Sequence, residues 1–190
     1  MADESLPPES LPWTGDPEAD RLLARDPLAL LIGMLLDQQF PMERAFYGPY
    51  LLSQRLDEPL DAARLANHDP EHLEAVFKGP PAIHRFPGAF AKRTQALCAF
   101  LVERYNGDAS RLWSTADSGA DLQARLQELP GFGVAKARIF VGVLGKRMGV
   151  RPPGWEQAAA DWPSIADVAA WEDVFSLRQQ KRDLKAAKKR

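Results

Sequence analysis

The sequence predicts an all-α fold, and three observations carry that expectation. Apolar residues recur at helical spacing through most of the chain, strand-like alternation is absent at any useful length, and Pro and acidic residues stand where helices would begin. No fixed-period repeat is present, so a helical bundle is expected, in one body or in two small lobes with a cleft, and not a solenoid.

The first strong element begins at Asp26-Pro27, with Pro27 at the first helical position, where its missing N–H costs nothing. Leu28, Leu30, Leu31, Met34, Leu35 and Leu36 follow it, an almost wholly apolar run that must lie at the centre of the bundle. Further helices are predicted over residues 42–56, 61–67, 70–76 and 91–105. Asp121 can cap a helix whose Leu122, Leu126 and Leu129 share one face, and Pro130 ends it. The last predicted helix covers 134–147, with Ile139, Phe140, Val143 and Leu144 at helical spacing.

A chain of 190 residues with 45% hydrophobic content can bury a good core without staples. Its single cysteine, Cys98, excludes an internal disulfide and an all-cysteine iron–sulfur or zinc site; it lies in an apolar run and reads as core. No apolar run approaches the ~20 residues a bilayer span needs, and the N-terminus lacks a basic-then-apolar leader. A cytoplasmic protein with no membrane association is expected.

The net charge of −2 conceals an asymmetry. Residues 1–20 carry six acids, no base and four prolines, a composition that predicts a flexible acidic arm. Residues 178–190 carry seven Lys and Arg against Asp183 alone, so a basic tail from about residue 176 either attracts polyanions or serves solubility.

Leu129-Pro130-Gly131-Phe132-Gly133-Val134-Ala135-Lys136-Ala137 carries the chemistry. Gly131 and Gly133 permit positive φ and close approach of a ligand to the backbone. The helix that follows offers free N–H groups and the positive end of its dipole, and Lys136 adds a full charge, so an anion would bind there. No strand precedes the glycines, which excludes the Rossmann and P-loop arrangements; the plain alternative is an ordinary αα-hairpin with a Pro-Gly turn.

Together with this segment, two further blocks mark a resemblance. One is Asp26-Pro27-Leu28-Ala29-Leu30-Leu31-Ile32-Gly33-Met34-Leu35-Leu36-Asp37-Gln38-Gln39; the other is Gly88-Ala89-Phe90-Ala91-Lys92-Arg93-Thr94-Gln95-Ala96-Leu97 with Tyr105-Asn106-Gly107-Asp108. In order and spacing, residues 26–155 resemble the helix-hairpin-helix DNA glycosylase superfamily, the base-excision repair enzymes that include endonuclease III and the alkyladenine glycosylases. The resemblance implies a glycosylase-like domain over 21–175 with its hairpin at 121–147. It also implies binding of double-stranded DNA that contains a damaged or mismatched base, extrusion of that base and hydrolysis of its N-glycosidic bond. It implies a nucleoid-associated monomer, and no cofactor or metal is expected.

Within that resemblance, Gln39, beside Gln38, matches the side chain that fills the space an extruded base leaves, and an amide can donate to and accept from any orphaned base. Both glutamines are otherwise ordinary polar residues at a helix end. Lys92 and Arg93, at the predicted start of their helix, are candidates to hold a second phosphate, because bases there oppose the dipole.

Two departures limit the carry-over. The lysine that family members with lyase chemistry place two residues after the second hairpin glycine is Ala135 here. Lys136 comes one residue later, rotated by about 100° away from a pocket that Ala135 would face, so no lyase step is expected. The aspartate expected beyond the second hairpin helix falls at Pro153-Gly154-Trp155, a window without a carboxylate. Glu156 and Asp161 are the candidate catalytic substitutes, with Asp37 beside the glutamine wedge as a third. A cationic base needs little help to leave, which favours an alkylated lesion. Trp155, Phe132 and Phe86 can stack on such a base or serve as core. His68, His72 and His84 are expected at the surface and not as metal ligands, with an approach of His84-Arg85 to DNA as the alternative. The alternative to an enzyme is a non-enzymatic protein that binds DNA lesions or structures on the same scaffold.

Overall fold

The computed structural model describes residues 6–189; residues 1–5 of the predicted arm and Arg190 of the tail lie outside them. Among the described residues the regular structure is entirely helical. It comprises α1 (Pro17–Arg25), α2 (Pro27–Leu36), α3 (Met42–Leu56), α4 (Ala62–Ala66), α5 (Pro70–Lys78), α6 (Pro87–Tyr105), α7 (Arg111–Ser114), α8 (Gly119–Glu128), α9 (Val134–Arg147), α10 (Trp155–Ala158) and α11 (Trp171–Ala187), with a 3-10 turn at Ile165–Asp167 before the last. The all-α expectation holds.

α2 is the central element because nothing on its surface wants water. The Asp26 carboxylate accepts hydrogen bonds from the Leu28 and Ala29 N–H groups at 2.9 and 3.3 Å, fixing its start. Every residue from Leu28 to Leu36 is then buried, each large side chain contributing about 1.5–3 kcal/mol of transfer free energy. α1 and α3 pack on α2, α4 and α5 pack on α6, and α8, α10 and the 3-10 turn pack on α9. Gly33 lets α3 approach closely: a Cβ there would meet the Phe46 ring at 2.6 Å.

The N-terminal end differs from expectation. Leu11 and Trp13 are fully buried, the Trp13 indole N–H donates to the Val168 carbonyl at 3.1 Å, and the Asp20 carboxylate accepts from the N–H groups of Trp13 and Thr14 at 3.2 and 2.9 Å. Counting charges and prolines misses this, since two apolar side chains and one satisfied carboxylate suffice to dock residues 11–16, and α1 begins at Pro17 inside the supposed arm. The basic tail is the second half of α11, which buries only Val174 and Leu177.

Two helix starts also move. Ser118, not Asp121, caps α8, its Oγ accepting from the Asp121 N–H. α6 begins at Pro87, four residues before the predicted start, so Lys92 and Arg93 sit in its second turn and the argument from an opposed dipole does not apply to them.

Candidate nucleic-acid interface

α8 ends at Glu128, and a turn of the five residues 129–133 leads into α9. The two glycines of that turn do different work. Gly131 has φ +83°, and a Cβ there would lie 2.5 Å from Leu35 Cδ1, so this glycine seats the turn on α2. Gly133 has φ −84°, a value any residue adopts, and a Cβ there would meet nothing within 4 Å. Its missing side chain therefore leaves space on the outer surface, in front of a helix end that no side chain caps. Gly133, Val134 and Ala135 are exposed. Open backbone amides at a positive helix terminus are a fitting seat for a phosphate.

Lys136 is not the charge that completes that seat. Its ammonium donates to the Leu35 carbonyl at 3.0 Å, satisfying one of the orphan carbonyls at the end of α2. Burial lowers its pKa to about 8, against the opposing pull of Asp37.

Beside the hairpin lies a cavity of about 490 Å³. Met34, Phe40 and Ile139 give it apolar wall, Asp37 and Lys136 give it charge, Gln39 and Ala135 also line it, and Lys181 and Lys185 reach it from α11. The sequence argument that turned Lys136 away from the cavity Ala135 faces is thus corrected: the long lysine side chain folds back, and both residues line the same space. Burial raises the Asp37 pKa, and the positive charges of Lys181 and Lys136 only partly offset it. A second, smaller hollow of about 260 Å³ shares Asp37 and Phe40 and is bordered by Arg178, Lys181, Arg182 and Lys185. Arg178 pairs with Glu43 of α3, which ties α11 to the body beside this charged floor.

Gln38 and Gln39 leave α2 exposed to solvent, and Gln39 adopts φ +53°, a left-handed conformation that costs a non-glycine residue about 1–3 kcal/mol unless its surroundings hold it. Gln39 lines the large cavity and also a small one of about 210 Å³ formed with Gln38, Phe86, Ala89, Phe90 and Arg93. The Arg93 guanidinium lies 4.7 Å from the Phe90 ring centre, while Lys92 is exposed and lines neither cavity. His84, expected at the surface, is fully buried: its ring stacks on Phe90 at 3.5 Å between centroids, and its two nitrogens contact the Gln38 carbonyl and the Phe86 N–H, each at 3.0 Å.

Glu156 and Asp161 stand apart from this arrangement. Glu156 is exposed on α10, and the Asp161 side chain is 83% exposed, 3.9 Å from Arg138. Neither lines the cavity that Asp37 and Lys136 share. Trp155 packs over Gly145 and Phe132 is buried, whereas Phe86 is 44% exposed beside the glutamines. His68 and His72 stack on each other at the surface, and no cluster of three potential metal ligands occurs among the described residues. A polar cleft of about 520 Å³ between α6 and α8 holds three arginines, but Glu128 and Asp121 already neutralise Arg104 and Arg125.

Sequence reasoning therefore found Gln38, Gln39, Arg93, Gly131, Gly133 and Lys136 around one region, named Asp37 without ranking it first, and missed His84 and the approach of α11. The charge run in the tail was the only signal for the last. A lone histidine between prolines carried none. Comparison with protein-family models, curated proteins and solved structures finds no match. Among the described residues no helix is long and apolar enough to cross a membrane.

Proposed function

We propose that this chain is a base-excision DNA repair protein of the helix-hairpin-helix glycosylase type, which binds duplex DNA, extrudes a damaged base and hydrolyses its N-glycosidic bond. One observation carries the proposal: a half-buried carboxylate, Asp37, lies in a cavity of base-accommodating size directly beside an uncapped helix N-terminus and an exposed, strained glutamine. In this scheme the amides of α9 grip a phosphate, Gln39 occupies the gap in the stack, and the base enters the cavity. Asp37 is the acting carboxylate in preference to Glu156 or Asp161, because only it lines the cavity. Its negative charge stabilises the cationic sugar that develops as the base departs.

The enzyme is monofunctional in this scheme. The family's lyase position is Ala135, and the Lys136 amine is engaged by the Leu35 carbonyl. The absence of a carboxylate at Pro153-Gly154-Trp155 favours the second reading, a lesion binder without chemistry. Single-turnover assays on duplexes carrying alkylated, oxidised, deaminated or mismatched bases decide between them. Release of a base, without strand cleavage, is expected for at least one lesion, and binding without any release would establish the binder.

A further inference from the structure

We propose that His84 is the positioning residue that presents Gln39 to the duplex, by locking the exit of α2 to the entry of α6. The inference rests on the reading of Gln39 as the side chain that enters the vacated stack. It starts from an unusual feature of the loop after α2. No glycine follows that helix, yet Gln39 is held at φ +53°, and the carbonyls of Leu35 in its last turn and of Gln38 just beyond its cap both take side-chain partners. Two side chains from distant parts of the chain satisfy them. Lys136 takes Leu35 from one side, and the His84 ring takes Gln38 from the other.

The tautomer follows from the partners. Nδ1 faces the Phe86 N–H at 3.0 Å and must accept, so the ring proton resides on Nε2, which donates to the Gln38 carbonyl at 3.0 Å. Desolvation lowers the His84 pKa, in keeping with a neutral ring. The ring packs on two aromatic neighbours, stacked on Phe90 at 3.5 Å and tilted against Phe40 at 4.7 Å. A fully buried imidazole with both nitrogens engaged and two aromatic rings packed on it has little freedom to rotate. One rigid ring therefore ties two exposed tips, the Gln38-Gln39 loop and Phe86, which share the small cavity beside Arg93. A loose Gln39 would lose loop entropy on entering DNA; a clamped one has lost it already.

The test separates the two arms of the ring. Asn at position 84 places its carbonyl oxygen near the Nδ1 position and keeps the Phe86 bond but cannot reach Gln38; Gln reaches the Nε2 position and keeps the Gln38 bond. Amide hydrogen exchange over residues 37–40 should rise in His84→Asn and stay near wild type in His84→Gln. The affinity ratio of a duplex with an abasic site over an intact duplex, at fixed salt, should fall about tenfold in His84→Asn, as in Gln39→Ala, with no further fall in the double variant, and His84→Gln should restore it. Equal losses in both His84 variants, or additive losses with Gln39→Ala, would overturn the positioning role. If the wild type shows no preference for the abasic duplex, the DNA reading fails, while exchange at 37–40 still decides whether His84 holds the loop. Should either variant not fold, nitrogen NMR on the wild type settles the clamp: a proton on Nε2 with Nδ1 bare is required, and the opposite tautomer refutes it.

Discussion

The floor of the large cavity and the segment from Pro153 to Asp161 both hold carboxylates that chain position alone makes eligible for catalysis, and the two regions treat those carboxylates in opposite ways. Around Asp37, burial raises the pKa, and the nearby Lys136 is brought down to about 8, so each charge is held at a cost that its neighbour only partly offsets. At Glu156 and Asp161 the groups stand in water, where a charge is cheap and correspondingly weak toward anything that approaches. Charges kept in an unfavourable place are what reactive sites require, because a fixed dipole or ion acts more strongly where water cannot screen it. On the proposed reading, the contrast favours the cavity over the segment near residue 154 as the place for chemistry.

The sharpest way to break the contrast is to remove each carboxylate in turn. Asp37→Asn should lower single-turnover base release by about 10²–10³-fold, with Glu156→Gln and Asp161→Asn within about twofold of wild type. The reverse order would return the chemistry to the 153–161 segment. Next in size is Gly133→Val. Because a Cβ at this position meets nothing within 4 Å, thermal stability should hold while duplex affinity falls about tenfold, measured by titration at constant salt. Unchanged affinity would mean that no backbone is gripped there. The contribution of α11 to the cavity can be tested with the paired substitution Lys181→Ala and Lys185→Ala. If each lysine meets one phosphate, the slope of log affinity against log salt should flatten by about 1.8, with the preference for damaged over intact duplex largely kept.

The smallest expected effect concerns stability and pH. The folded pKa of Lys136 lies below its ordinary 10.5, so between about pH 8 and 10.5 the unfolded chain binds more protons than the folded one, and stability should rise with pH across that window. Since the side chain is only half-buried, the rise should be on the order of 1 kcal/mol. It is measured as the difference between urea midpoints of the wild type and Lys136→Met over that range. An equal profile in the two proteins would show that the amine is not strained by its burial.

Several of these features were legible in the amino-acid order because they depend on local rules. The Asp26-Pro27 start of α2, its apolar run and the Pro-Gly turn before α9 each follow from what neighbouring residues do to one another. What escaped depends on residues that meet only after folding. Nothing near His84 in sequence announces Gln38, and the charge-rich ends give no hint that Trp13 reaches Val168 or that Lys181 comes to Asp37. Lys136 illustrates the limit of a periodicity argument, which gives the direction of a Cα–Cβ bond but not the fold of a four-carbon chain beyond it.

The hydrogen bond from Trp13 to Val168 joins residues 155 apart. During synthesis the Trp13 ring can pack on Phe46 early, but its indole N–H has no acceptor until Val168 has left the ribosome, so the strap before α1 is completed late. The same strap lies against the root of α11, where Gly15 abuts the Trp171 ring, so the element that brings lysines to the cavity is seated by a segment made long before it. A chain cut short before Val168 would lack α11 and leave the Trp13 indole N–H without its acceptor, and the site would lose its outer wall although every residue of the hairpin remained.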